Sequence, residues 1–261
     1  MPLFSKYFVN QLSLYLFLLY LLSLSCSYQP TFNSSEIPSD IIITENRKLI
    51  EIKPESTPVA PTGLLFYPGG LVDNHAYNKL LSRFSRNGIF VVIVKMPANL
   101  AVFDIEAGIS VIDNYPQITR WVVAGHSLGG AMAASLVNRN RELFDGIIFM
   151  DSYPPDGDGF ADWRGVVLSL FSSKEKVSDS SRMSKTLSLL PPAFWLTTGE
   201  RMYPHQKSNY TVIHVIEGGS HSLFGSYGPQ DGDFTPTVSE YDFQSEVIEY
   251  MLEFFTKNNW R

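Results

Sequence analysis

One cysteine, Cys26, stands in 261 residues. An intramolecular disulfide framework is therefore excluded. No cluster of His, Cys and carboxylate residues has metal-ligand spacing, so no metal is expected, and no cofactor either. Basic residues are also in deficit, with 20 Lys and Arg against 26 Asp and Glu for a net charge of −6. That balance speaks against nucleic acid as a partner. The glycine-rich stretch from Gly125 to Gly130 lacks the Lys-Ser/Thr ending of a phosphate-binding loop, and its spacing does not match the dinucleotide fingerprint. Two Asp-Gly-Asp stretches, at 156–158 and 231–233, hint at calcium. The first has Phe160 where a further ligand would be needed and the second has no continuing ligand pattern, so both read as turns. Internal repeats are absent.

A long apolar run occurs only near the N-terminus, where Lys6 precedes residues 12–24. Small residues Ser23 and Ser25 then lead into Cys26. The run is short for a membrane span, and the arrangement reads as a signal peptide over 1–25. Leu22-Ser23-Leu24-Ser25-Cys26 resembles a loose lipobox, with leucine one place early, so Cys26 is the expected lipidation site. Export follows in either case: a lipid-anchored membrane protein if Cys26 is modified, and a periplasmic or secreted one otherwise. Residues 27–40 are polar and punctuated by Ser and Pro, which suggests a flexible tether, assigned to 26–44. The folded domain is expected over 45–261.

Within that domain, strand and helix patterns alternate. Buried strands are expected at 64–67, 89–94, 121–124, 146–150, 166–171 and 212–216. Helices are expected at 73–85, 104–115, 179–190 and 241–257. Residues 41–52 fit edge strands, and 192–209 give no clear pattern. Such alternation predicts an α/β fold with a mostly parallel sheet covered on both faces.

The most informative stretch is Trp121-Val122-Val123-Ala124-Gly125-His126-Ser127-Leu128-Gly129-Gly130. A strand runs into Gly-x-Ser-x-Gly and then into small residues with helical spacing. This is the pattern of a nucleophile elbow, a strained strand-to-helix turn that exposes a serine hydroxyl. Gly125 and Gly129 are required where neighbouring backbone comes very close. Ser127 is the expected nucleophile.

A serine nucleophile needs a base, an acid and an oxyanion hole. In sheets that carry such elbows the chain order is serine, acid, histidine. Of the five histidines, His221 lies after the last predicted strand and is the expected base. His75 and His126 precede the serine, His126 being expected to point elsewhere. His214 lies inside a strand, and His205 reads as a solvated loop residue. For the acid, Glu175 follows the 166–171 strand and is the first choice. Asp151, after the 146–150 strand, and Glu200 remain as alternatives. The oxyanion donors should be the backbone N–H of Leu128 and one from the loop Pro68-Gly69-Gly70-Leu71, either Gly70 or Leu71.

Several stretches together resemble a bacterial group of α/β-hydrolases, the α/β-hydrolase fold-5 type. They are Phe66-Tyr67-Pro68-Gly69-Gly70-Leu71-Val72-Asp73, Val94-Lys95-Met96-Pro97-Ala98-Asn99, Gly125-His126-Ser127-Leu128-Gly129-Gly130, Ser152-Tyr153-Pro154 and Gly218-Gly219-Ser220-His221 running into Phe224-Gly225-Ser226-Tyr227-Gly228-Pro229-Gln230. The resemblance covers residue 63 to the C-terminus and implies a compact serine hydrolase without a large lid domain. The group's acid turn, Tyr-Gly-Ser-x-Asp-Gly, corresponds to Phe171-Ser172-Ser173-Lys174-Glu175-Lys176, where aspartate has become Glu175 and both glycines are gone. The usual Gly-Gly-Asn-His is Gly-Gly-Ser-His, and 193–209 resembles an insertion. The function expected is an exported serine hydrolase that cleaves a small-molecule carboxylic ester or related acyl bond through an acyl-enzyme. The alternatives are a surface lipoprotein that kept the fold and lost catalysis, and an acyltransferase using the same residues.

Overall fold

Strands without a polar face persist only when both sides are covered. Here β3 (Thr62–Tyr67), β4 (Phe90–Val94) and β6 (Gly146–Met150) are buried along their whole length. They belong to a computed structural model that describes residues 27–173, 185–195 and 209–261. The remaining described strands are β1 (Ile41–Glu45), β2 (Leu49–Pro54), β5 (Arg120–His126), β7 (Val166–Ser172), β8 (Ala193–Trp195) and β9 (Thr211–Ile216). Among the described residues they form one nine-stranded sheet in the order β1-β2-β4-β3-β5-β6-β7-β9-β8. Every pairing from β4 to β8 is parallel, whereas β1 and β2 add an antiparallel hairpin at one edge.

Alternate side chains along β3, β4 and β5 enter two separate cores. On one face Leu64, Phe66, Val91 and Val122 pack with Leu80 and Phe84 of helix α1 (Asn78–Ser85). Val247, Met251 and Phe254 of the C-terminal helix join the same core. On the other face Leu65, Tyr67, Val92 and Val123 pack with Val111 of helix α2 (Ile109–Asn114) and with Ala133, Leu136 and Val137 of helix α3 (Leu128–Arg139). The C-terminal helix, α4, spans Glu240–Lys257 and begins at Ser239, whose hydroxyl accepts the Asp242 N–H. The expected α/β fold with a mostly parallel, doubly covered sheet is what the chain adopts.

Three expectations are corrected. Residues 27–40 are not a free tether. The Tyr28 N–H donates to the Leu71 carbonyl, the Asp73 N–H donates to the Tyr28 carbonyl, and the Thr31 N–H donates to the Ser226 carbonyl. A tether ending at residue 44 also cuts into β1, which starts at Ile41. The helix expected at 104–115 is shortened to Ile109–Asn114. The Tyr67 hydroxyl donates to the Ile105 carbonyl at 2.7 Å and accepts the Gly108 N–H at 3.0 Å, diverting both groups from a helical ladder. Of the helix expected at 179–190, residues 185–188 are helical and 179–184 lie outside the described residues. The segment expected as a signal peptide (1–25) and Cys26, the expected lipidation site, also lie outside them. Among the described residues, no helix is long and apolar enough to cross a membrane.

Candidate active site

The site is built at the carboxyl ends of β3, β5 and β6 and in the loop after β9, where parallel strands leave a crevice for a ligand. β5 ends at His126, and α3 begins at Leu128. Ser127 occupies the single residue between them, with φ 52° and ψ −125°. Such a conformation is strained for a residue with a Cβ. Neighbouring groups hold it in place. The Ser127 N–H donates to the Met150 carbonyl at 3.0 Å, and the Ser152 hydroxyl donates to the Ser127 carbonyl at 2.6 Å. The flanking glycines have the packing expected of them. A Cβ on Gly125 would fall 2.5 Å from the Gly130 nitrogen, and one on Gly129 would fall 2.2 Å from the carbonyl oxygens of Tyr67 and Pro68.

His221 opens a short helical turn, His221–Phe224, after β9. Its Nδ1 lies 3.5 Å from Asp151 Oδ2, and the Asp151 side chain is wholly buried. Asp151 directly follows β6 and has φ 42°. The Ser172 N–H donates to its Oδ1 at 2.7 Å and the Ser172 hydroxyl to its Oδ2 at 2.6 Å. These two bonds orient the carboxylate toward His221. Burial pushes the Asp151 carboxyl above the usual carboxylate range, opposed by the hydrogen bonds and charge of His221 and by the bonds from Ser172. Of the alternatives for the acid, the structure brings Asp151 to the histidine. Glu175 and Glu200 lie outside the described residues.

The oxyanion expectation is narrowed. Leu71 was one of two choices in its loop, but its N–H donates to the Asn99 carbonyl at 2.9 Å. Leu71 is therefore withdrawn as a donor. Gly70 is the other choice, and a Cβ placed on it would lie 2.9 Å from the Leu128 side chain. The loop after β3 thus rests directly on the first residue of α3. The Gly70 and Leu128 N–H groups make no hydrogen bond among the described residues.

His126 does not point away, as the sequence suggests. Its ring is fully buried and lies 4.5 Å from the His221 ring, centroid to centroid. His214 is a packed strand residue, 3.2 Å from Glu246 Oε1 and against the Tyr250 ring. His75 lies near the surface between Asp73 and Glu45, and His205 is outside the described residues.

Asp233 was read only as part of a turn, yet it fastens the histidine loop. Its Oδ1 accepts the His221 N–H at 3.1 Å and its Oδ2 accepts the Ser222 N–H at 2.8 Å. These bonds outweigh burial and hold its carboxyl below the usual range. The only sequence signal was the Asp-Gly-Asp turn itself, read for calcium. Among the described residues no group of three or more His, Cys, Asp or Glu is placed to hold a metal ion.

Comparison with known proteins agrees with this geometry at the level of the fold. A family model described as the alpha/beta hydrolase family matches residues 63–245, and the chain belongs to that family. Comparison with curated protein sequences finds no match. Among solved structures, the chain is similar to MGS-MChE2, an α/β hydrolase enzyme from a lagoon-sediment metagenome. The TM-score is 0.57 at 11% identity, over 84% of this chain and 99% of that one. It is similar also to a dienelactone hydrolase from Anabaena variabilis (TM-score 0.55, 12% identity, 84% and 98% covered). A third similar structure is carboxyl esterase 2 from Tuber melanosporum (TM-score 0.55, 11% identity, 88% and 91% covered).

Proposed function

We propose that the chain is an exported serine hydrolase that cleaves a carboxylic ester, with Ser127 as nucleophile, His221 as base and Asp151 as acid. The observation that carries this reading is one arrangement. Ser127 sits on a strained elbow immediately after His126, whose ring lies tilted against His221, and His221 Nδ1 is 3.5 Å from the buried Asp151 carboxylate. Ser127 Oγ attacks the ester carbonyl carbon while its proton passes to His221 Nε2. Asp151 stabilises the imidazolium formed. The N–H groups of Gly70 and Leu128 receive the charge that develops on the carbonyl oxygen. Collapse breaks the bond to the alcohol, which leaves with the proton from His221. Water then repeats the sequence on the acyl-enzyme, freeing the acid and Ser127.

The carboxylic ester class is supported by the family and by esterases among the similar folds. Export, and anchoring through Cys26, rest on the N-terminal sequence. A non-catalytic reading draws on the altered acid turn at 171–176; with Asp151 as the acid, the loss of aspartate at position 175 no longer argues against catalysis, and Ser172 of that turn serves to hold the Asp151 carboxylate. Acyl transfer would use the same residues with an acceptor other than water. A fluorophosphonate probe tests the proposal: it should label wild-type protein on Ser127 and leave Ser127→Ala unlabelled. Equal labelling of both, or none of folded wild type, contradicts it.

A further inference from the structure

We propose that Tyr77 and His126 are positioning residues that tie the oxyanion loop to the catalytic base through one buried hydroxyl. The inference rests on the reading of Ser127 and His221 given above.

The Tyr77 hydroxyl is fully buried and has two partners. It accepts the Gly69 N–H at 2.9 Å and lies 2.9 Å from His126 Nδ1. A hydroxyl carries one proton. The Gly69 N–H can only donate, and among the described residues His126 Nδ1 is the one partner of this hydroxyl able to accept, so we place the Tyr77 proton in the bond to His126 Nδ1. His126 is thereby fixed as the tautomer with its proton on Nε2. Burial keeps Tyr77 protonated, far above the ordinary phenol range. Burial first, and then the charge of the nearby His221, hold His126 well below the usual imidazole range, against a backbone bond to His221 that favours the charged form, so it stays neutral.

Each end of this chain touches the proposed chemistry. Gly69 adjoins Gly70, whose N–H is the proposed oxyanion donor. His126 adjoins Ser127, and its ring lies 4.5 Å from His221 at an angle of 42°. Phe224 and Tyr227 close the other sides at 5.6 and 6.5 Å. The surroundings of Gly69 fit the same account. A Cβ there would fall 2.8 Å from the Tyr77 hydroxyl and 2.9 Å from His126 Nδ1, crowding both partners of the bond at once. A neutral ring packed on His221 leaves room for the positive charge that His221 acquires in turnover, which a charged one would oppose.

Two measurements test the proposal, one independent of activity. Imidazole ¹⁵N spectra of histidine-labelled wild type should show His126 with Nδ1 unprotonated and Nε2 protonated, unchanged from neutral to mildly acid pH. In Tyr77→Phe that pattern should be lost. Observation of the Nδ1–H tautomer in wild type overturns the proposal, whatever the activity. Kinetics on p-nitrophenyl acetate supply the second readout. Tyr77→Phe should lower kcat roughly 10- to 100-fold with KM nearly unchanged, since misplacement of a reacting group by a fraction of an ångström has costs of this order. His126→Asn, which keeps an acceptor near the Nδ1 position, should lose less than His126→Leu. Folded Tyr77→Phe with wild-type kcat and pH profile overturns the proposal. If wild type and Ser127→Ala hydrolyse equally, the reading of the site fails instead, and the tautomer result still stands by itself.

Discussion

Where a Cβ on Gly129 would stand, backbone already lies within 2.2 Å, from Tyr67 and Pro68 at the end of β3. Backbone cannot swing aside as a side chain can. Gly129→Ala should therefore cost about 2–3 kcal/mol, a drop in melting temperature of roughly 5–10 °C for a chain of this size. A melting curve checks it, and an unchanged midpoint would mean that the elbow is looser than described. Glycine at this position was legible because the elbow pattern states its own steric reason. The strand–turn–helix at Ser127 was legible too, from that pattern, and chain order placed His221 after the last strand, where it lies beside Asp151. The carboxylate beside His221 was an alternative rather than the first choice. Chain order pointed to the end of β7, and the residue found beside His221 directly follows β6. β6 and β7 are parallel neighbours paired through Met150 and Leu170, so their ends open onto the same crevice. Which strand supplies the carboxylate is a matter of side-chain direction. At Asp151 that direction follows from φ 42° and the two bonds from Ser172, neither of which is written in a one-dimensional pattern.

At the scale of elements, Asp233 fastens the loop after β9 beside the buried Phe224 and Tyr227. Its carboxylate accepts N–H groups from His221, Ser222 and Phe234. The folded-state pKa is lowered. The stabilisation is therefore present above the unfolded value of about 3.9 and is lost as pH falls through the lower folded value. Asp233→Asn keeps one acceptor oxygen and cannot titrate. Melting temperatures measured from neutral pH down to about 3 should converge for wild type and Asp233→Asn at the acid end. A gap that stays constant with pH would remove this role from Asp233. The element boundaries themselves were legible wherever apolar runs were unbroken, as in β4, β6 and β9. They were misjudged at α2, because a tyrosine on β3 captures the helix's first carbonyl and a glycine N–H, a contact spanning 38 residues of sequence.

For the whole molecule, the N-terminal segment belongs to the site's support. Polar composition suggested a tether, but composition is blind to backbone pairing. Tyr28 makes a bridge to Val72, and its ring lies 5.5 Å from Tyr227 in the loop after His221. One residue thus touches both the oxyanion loop and the histidine loop. Proline lacks the N–H that Tyr28 gives to the Leu71 carbonyl, so Tyr28→Pro separates the backbone bond from the ring. In the full chain, Tyr28→Pro should lower ester kcat several-fold beyond Tyr28→Ala. Equal losses would assign the effect to the ring alone.

The account turns on which carboxylate serves His221, and steady-state hydrolysis of a p-nitrophenyl ester by wild type, Ser127→Ala, Asp151→Asn and Glu175→Gln addresses it directly. Replacing the acid of such a triad by its amide lowers kcat on the order of 10⁴-fold. The prediction is a loss of that order in Asp151→Asn, near-background rates in Ser127→Ala, and a rate within about two-fold of wild type in Glu175→Gln. Near-normal turnover in folded Asp151→Asn, with the loss found in Glu175→Gln, would contradict the assignment.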